Sequence, residues 1–116
     1  MTPQSPQISE RFTDRVAVVT GGAGGLGMAI ARAYSSEGGR VAIFDANLDA
    51  VSSGIASLHK AGVSPRSLLG LHVDVRDSSA VHQAMSQVAE NFGRIDSLIA
   101  AAGGSVGTPT KLEDIT

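Results

Sequence analysis

The sequence predicts an α/β fold, a doubly wound parallel sheet that is incomplete at about four strands and three helices. Three observations lead there. Short apolar runs rich in β-branched residues alternate with helix-length amphipathic segments in the order βαβαβαβ. That alternation implies parallel pairing with right-handed crossovers. The first apolar run also enters a glycine cluster, "VAVVTGGAGGLG" at 16–27, where a strand is expected to turn sharply into a helix.

Each element has its own signal. "VAVVT" (16–20) is brief and β-branched, as a strand buried on both faces should be. The helix after it is expected to place Leu26, Ile30, Ala33 and Tyr34 on one apolar face and to end at Gly38-Gly39. "VAIFD" (41–45) reads as a second buried strand. Asn47 can cap a helix whose Leu48, Val51, Ile55 and Leu58 follow three- and four-residue spacing, closing at Gly62. "SLLGLHVDV" (67–75) reads as a third strand. Asp77 or Ser78 can cap the third helix, with Val81, Met85, Val88 and Phe92 as its inner stripe and Gly93 after it. "DSLIAAAGG" (96–104) reads as a fourth strand running into a loop. The first two helices should cover one face of the sheet and the third the other, which leaves "LIAAA" as an open apolar edge. Residues 1–11 read as a flexible polar tail, and the folded part begins at Phe12.

Composition narrows the function. The chain has 116 residues, 42% of them hydrophobic and 17% charged, which suits one globular domain. A net charge of −2 offers no basic footprint for nucleic acid or an anionic membrane. With no cysteine, disulfide and thiol chemistry are excluded, and a reducing cytoplasm is the expected compartment. The uncharged stretch 16–31 is too short for a bilayer and is broken by glycines, so no membrane span is expected. His59, His72 and His82 lack ligand spacing, and no acidic cluster joins them, so no metal is expected. Asp14, Asp49, Asp77 and Asp96 read as caps and turn residues.

The glycine cluster fits three spacings: Gly22-x-Gly24-x-x-Gly27, Gly21-x-x-x-Gly25-x-Gly27 and Gly21-x-x-Gly24-x-x-Gly27. A glycine turn between strand and helix lets a ligand approach bare main chain at the positive end of the helix, a setting suited to a pyrophosphate. A Walker loop is excluded because no Gly-Lys-Ser/Thr follows, and the only lysines are Lys60 and Lys111. The competing reading is a turn needed only for close strand–helix packing. Asp45, 18 residues after Gly27 at the end of the second strand, can accept hydrogen bonds from an adenosine ribose diol. There it would repel a 2′-phosphate, favouring NAD over NADP. Alternatively it caps the helix that follows.

With these residues in place the chain resembles the short-chain dehydrogenase/reductase family, over about Phe12 to Thr116. Thr20-Gly21-x-x-x-Gly25-x-Gly27 is similar to that family's cofactor loop, Leu26 within it included. Asp74-Val75 resembles its adenine-contacting pair, and "NFGRID" (91–96) and "PTKLEDIT" (109–116) resemble its usual phrasing. Ala102 and Gly103 stand where the family brings main chain close to the cofactor, although Ala100-Ala101 replaces the usual Asn-Asn. The resemblance implies a Rossmann-like fold and NAD, with NADP second. It also implies an oxidoreductase interconverting a secondary alcohol and a ketone, homo-oligomeric when complete. The family's proton-transferring tyrosine, with a lysine four positions on and a serine upstream, has no match. Tyr34, the sole tyrosine, is followed at that spacing by Gly38 and is expected in the core. Ser105 and Thr108 follow the fourth strand rather than a later one, so no catalytic residue is assigned. Residues 12–116 are thus expected to be the N-terminal, cofactor-binding part of a longer enzyme and inactive alone. Two rivals stay open: an extended-branch nucleotide-sugar epimerase or dehydratase, suggested by Gly24, and a non-catalytic nucleotide-binding fragment.

Overall fold

A computed structural model describes residues 11–21 and 23–101. Strand β1 (Val16–Thr20) leads to helix α1 (Gly25–Ser36), β2 (Arg40–Asp45) to α2 (Leu48–Lys60), and β3 (Leu68–His72) to α3 (Ser78–Phe92). A 3₁₀ turn, Pro65–Ser67, precedes β3, and β4 (Ser97–Ala100) closes the series. All pairings are parallel, in the order β3-β2-β1-β4. This is a Rossmann-like half-sheet in which the order reverses between β1 and β4.

Alternation along β1 and β2 sends side chains to both faces, and each face has its own core. On one face Ala17, Val19, Val41 and Ile43 meet Ala31 and Tyr34 of α1 and Leu58 of α2. On the other, Val16, Val18, Ala42 and Phe44 meet Ala84 and Val88 of α3. The expected division of the helices between the faces therefore holds. Among the described residues β4 pairs only with β1, and its four residues are half-buried.

The predicted caps are in place. The Asn47 side chain accepts from the Ala50 N–H, and Asp77 accepts from the Ala80 N–H. Gly93, in the left-handed conformation at φ 86°, ends α3. Phe12 opens the folded part by stacking on Tyr34 at 4.3 Å between ring centroids. Its N–H donates to the Glu37 carbonyl. Arg11, assigned above to the tail, pairs with Glu37 at 2.8 Å. The rest of that tail, Gly22, Ala102, Gly103, Ser105, Thr108 and "PTKLEDIT" lie outside the described residues.

Several expectations need correction. The third strand was expected over 67–75, but Ser67 belongs to the 3₁₀ turn and β3 ends at His72. The Val73 N–H still reaches the Asp45 carbonyl, after which the chain turns, with the Asp77 N–H on the Asp74 carbonyl. Asp74 and Val75 thus follow the strand rather than close it. The fourth strand begins at Ser97 and ends at Ala100, because Asp96 is taken up in a side-chain clamp described below. The buried line of α1 is Gly27, Ala31 and Tyr34, whereas Leu26 is 65% exposed and Ala33 is exposed. Leu48, at the start of α2, is 56% exposed. Leu26 and Leu48 both sit in the first turn of their helices.

Candidate functional site

A cavity of about 500 Å³ opens at the carboxyl ends of the strands, where the strand order reverses. Its walls are Gly21, Gly24, Gly25, Leu26 and Gly27 from the first turn, Asp45 and Ala46 after β2, the stretch 73–76 after β3, and Ala101 after β4. Each of the three glycine spacings read from the sequence contributes to this wall.

The glycine turn is built from its backbone. Gly21 has φ 67°, a conformation a side chain would strain. Its N–H continues the ladder onto the Phe44 carbonyl at 2.7 Å, and its carbonyl accepts from the Gly24 N–H at 3.3 Å. Gly24 is the N-cap of α1 and supplies no side-chain hydrogen bond, and the first turn carries no acidic residue. Helices α2 and α3 each have a side-chain cap, whereas among the described residues none caps α1. A Cβ at Gly25 would meet nothing within 4 Å, and one at Gly24 would make only an ordinary contact, 3.6 Å from the Gly21 oxygen. Close strand–helix packing therefore does not explain these two glycines. The open space in front of them fits a group that must lie against bare main chain.

Asp45 combines its two readings. Its Oδ1 accepts from the Asn47 N–H at 3.0 Å, setting up the start of α2, and its Oδ2 accepts from the Ala23 N–H at 3.4 Å. Asn47 itself is the cap of α2. A carboxylate offers about four acceptor positions, so about two remain for a ligand. His72 Nε2 lies 2.8 Å from the Ala46 carbonyl, which assigns the ring proton to that nitrogen and ties the end of β3 to the residue after Asp45. Sequence reasoning missed this contact, because it exists only once β3 pairs with β2.

Asp74 and Val75 both line the cavity, and Val75 is 47% exposed. Arg76, which the sequence reading passed over, lines it too. Its side-chain hydrogen bonds to Asp74 are the main cause that holds the Asp74 carboxyl at about 2, below the ordinary 3.8. Ala101 reaches the wall through its N–H on the Thr20 carbonyl at 2.8 Å. Thr20 is buried beneath the cavity rather than on its surface. Tyr34 lies in the core under α1, its phenol pushed above 10.0 chiefly by burial. Among the described residues, no group of three His, Cys, Asp or Glu side chains could hold a metal, and no helix is long and apolar enough to cross a membrane.

The class that this fold and cavity define is that of dinucleotide-type α/β proteins with a glycine turn at the switch point. The sequence profile of short chain dehydrogenases matches residues 15–115, and the chain belongs to that family. It is 42% identical over 93 residues to meso-2,3-butanediol dehydrogenase of Serratia marcescens, covering 80% of this chain and 35% of that enzyme. Among solved structures, NAD+-bound xylitol dehydrogenase superposes with a TM-score of 0.69 at 33% identity, covering 76% of this chain and 33% of that one. The NADP-bound N-domain of a bacterial malonyl-CoA reductase does so with a TM-score of 0.72 at 36% identity, covering 76% and 16%. Nicotinamide cofactors of both kinds thus occur among the structural neighbours. The chain spans about a third of the length of the curated relatives it matches.

Proposed function

We propose that this chain forms the cofactor-binding part of an oxidoreductase that interconverts a secondary alcohol and a ketone, with NAD favoured over NADP. One observation carries the reading: the start of α1 without a side-chain cap, the exposed main chain at Gly24 and Gly25, and the carboxylates Asp45 and Asp74 all converge on one cavity. The pyrophosphate would lie on main chain from Gly21 to Gly27, the adenosine ribose on Asp45, and the adenine beside Asp74 and Val75. Ala102 and Gly103 would approach the nicotinamide side. When bound, the nicotinamide ring supplies hydride exchange with the substrate carbon.

The preference for NAD follows from charge. Asp45 has acceptor capacity for a ribose diol and none to donate, and a 2′-phosphate would face its negative charge. Among the described residues the lining side chains include one cation, Arg76, and it pairs with Asp74. A diol or polyol substrate suits the relatives named above. No tyrosine–lysine pair is present in these 116 residues, so binding without turnover is expected of the chain alone. A homo-oligomer accords with the family resemblance, and the absence of cysteine accords with a reducing cytoplasm.

Titration with NADH and NADPH, read by nicotinamide fluorescence, tests the proposal. NADH should bind more tightly, and Asp45→Ala should weaken NADH by about tenfold while leaving NADPH little changed or improved. A parent chain that prefers NADPH would reject the role given to Asp45.

A further inference from the structure

Asp74 and Arg76 are joined more tightly than two neighbouring surface residues need be. Asp74 Oδ1 accepts from the Arg76 main-chain N–H at 2.9 Å and from its Nε at 3.0 Å, and Oδ2 accepts from Nη2 at 2.9 Å. The two side-chain bonds form the parallel, two-pronged contact that fixes a carboxylate in plane as well as in place. The Arg76 side chain is 85% exposed and that of Asp74 42%, so the pair sits at the surface of the turn after β3, and both residues line the proposed cofactor cavity.

The acceptor count gives the pair a purpose. Of about four acceptor positions on an ionised carboxylate, Arg76 occupies three: both on Oδ1 and one on Oδ2. A single acceptor is left, on Oδ2. We infer that Arg76 is a positioning residue for the adenine end of the site: it locks Asp74 with one remaining acceptor, so that the cavity selects a purine bearing an exocyclic amino group over one bearing a carbonyl. This inference rests on the dinucleotide reading above.

A locked acceptor can take the hydrogen bond of an adenine amino group, but it meets the oxygen of hypoxanthine as a second acceptor. Two acceptors facing each other without a proton repel, and the mismatch costs binding. Without the lock the Asp74 side chain can turn. It could then accept from the N1–H of hypoxanthine, and it would give up rotamer freedom on binding either base. Among the described residues, other charged or titratable groups at this end include Asp45, which serves Asn47 and Ala23, His72, which serves Ala46, and Asp77, which caps α3. None of these side chains takes the place of Arg76 on the Asp74 carboxylate. The exposed Val75 offers an apolar surface to either base equally, so it does not discriminate between them.

The test compares NADH with its reduced hypoxanthine analogue, which differ in the group at C6 of the purine and in the proton that hypoxanthine carries on N1. Both are titrated by nicotinamide fluorescence against the 116-residue chain and against Arg76→Ala and Arg76→Lys, with thermal melts to verify folding. The parent should favour NADH by about tenfold, the cost of one mismatched charged hydrogen bond. In Arg76→Ala that ratio should fall below about threefold. Arg76→Lys keeps the charge but not the two-pronged contact, and should lose selectivity as well. A folded variant with the parental ratio overturns the inference, as does a parent with no preference between the bases. A parent that binds neither dinucleotide overturns the cofactor reading itself.

Discussion

Replacing Gly25 by alanine separates a glycine kept for packing from one kept for a ligand. Gly25 is the first residue of α1, its φ is not positive, and a Cβ there meets no protein atom within 4 Å. Alanine should therefore be accepted, and the smaller entropy loss of a helical alanine is worth about 0.5 kcal/mol at this terminal position. For a chain of this size that raises the melting temperature by roughly 2–4 °C. Binding should move the other way. On the proposed reading the new methyl group stands where a pyrophosphate would approach the main chain, and losing a hydrogen bond to a charged oxygen weakens binding by roughly 10- to 100-fold. Thermal melts and NADH titration on one preparation read both effects. A lower melting temperature with unchanged affinity would show that this glycine serves packing and that the space in front of it is incidental.

Gly70 should behave in the opposite way. A Cβ there would stand 2.8 Å from Val51 Cγ1 and from Ile55 Cγ1, so Gly70→Ala forces α2 off β3 and should cost about 1–3 kcal/mol in urea unfolding. The carboxyl of Asp96 is held below its ordinary 3.8, first by the hydrogen bonds from Arg94 and then by the Val16 N–H. Its stabilisation is therefore complete above 3.8 and is lost as pH falls through the lower folded value. The difference in melting temperature between the parent and Asp96→Asn should accordingly be widest near neutrality and close as pH drops below that range. Tyr34 is the sole tyrosine, so ultraviolet titration of the phenol reports it alone and should give a midpoint above 10. Phe12→Ala, which removes the ring stacked on it, should bring that midpoint back toward the ordinary value.

Much of this architecture is legible in the letters because a few local rules act without help from distant residues. β-Branched runs mark β1 and β2, buried on both faces, and Asn47 and Asp77 announce the starts of α2 and α3 through their own side chains. Asp45 could be read from its place at a strand end and Asp74-Val75 from the family resemblance, and all three line one cavity because parallel strands bring their carboxyl ends together. The misjudged features depend on what lies underneath. Leu26 and Leu48 fit the helical period yet stay exposed, since periodicity gives a direction and not the presence of a neighbour. Val73 and Val75 extend the apolar lettering of β3, but the turn closed by Asp77 on Asp74 ends the strand first. The Arg76 contact escaped because the resemblance was carried by the pair Asp74-Val75, and nothing in the pattern says that the next side chain folds back.

The two ends of the sheet differ in how far their polar groups are satisfied from within. At the amino ends the chain closes on itself. Asp96 accepts from the Val16 N–H at 2.8 Å while its own N–H donates to the Val16 carbonyl at 2.8 Å, and Arg94 grips the same carboxylate. Arg40 lies over the Phe92 ring at 5.4 Å, and Arg11 holds Glu37 beside the stacked Phe12 and Tyr34. At the carboxyl ends the opposite holds: an uncapped helix start, glycines with empty space where a Cβ would stand, an exposed leucine and valine, and two carboxylates with acceptor capacity left over. Leaving donors and apolar surface unmatched costs stability, and a fold carries that cost where a ligand supplies the missing partners. That asymmetry would be accounted for by a ligand at the carboxyl ends, as proposed above. It also separates two kinds of substitution. Changes at the clamp around Asp96 should be read in melting temperature, and changes around Gly25, Asp45 and Arg76 in affinity.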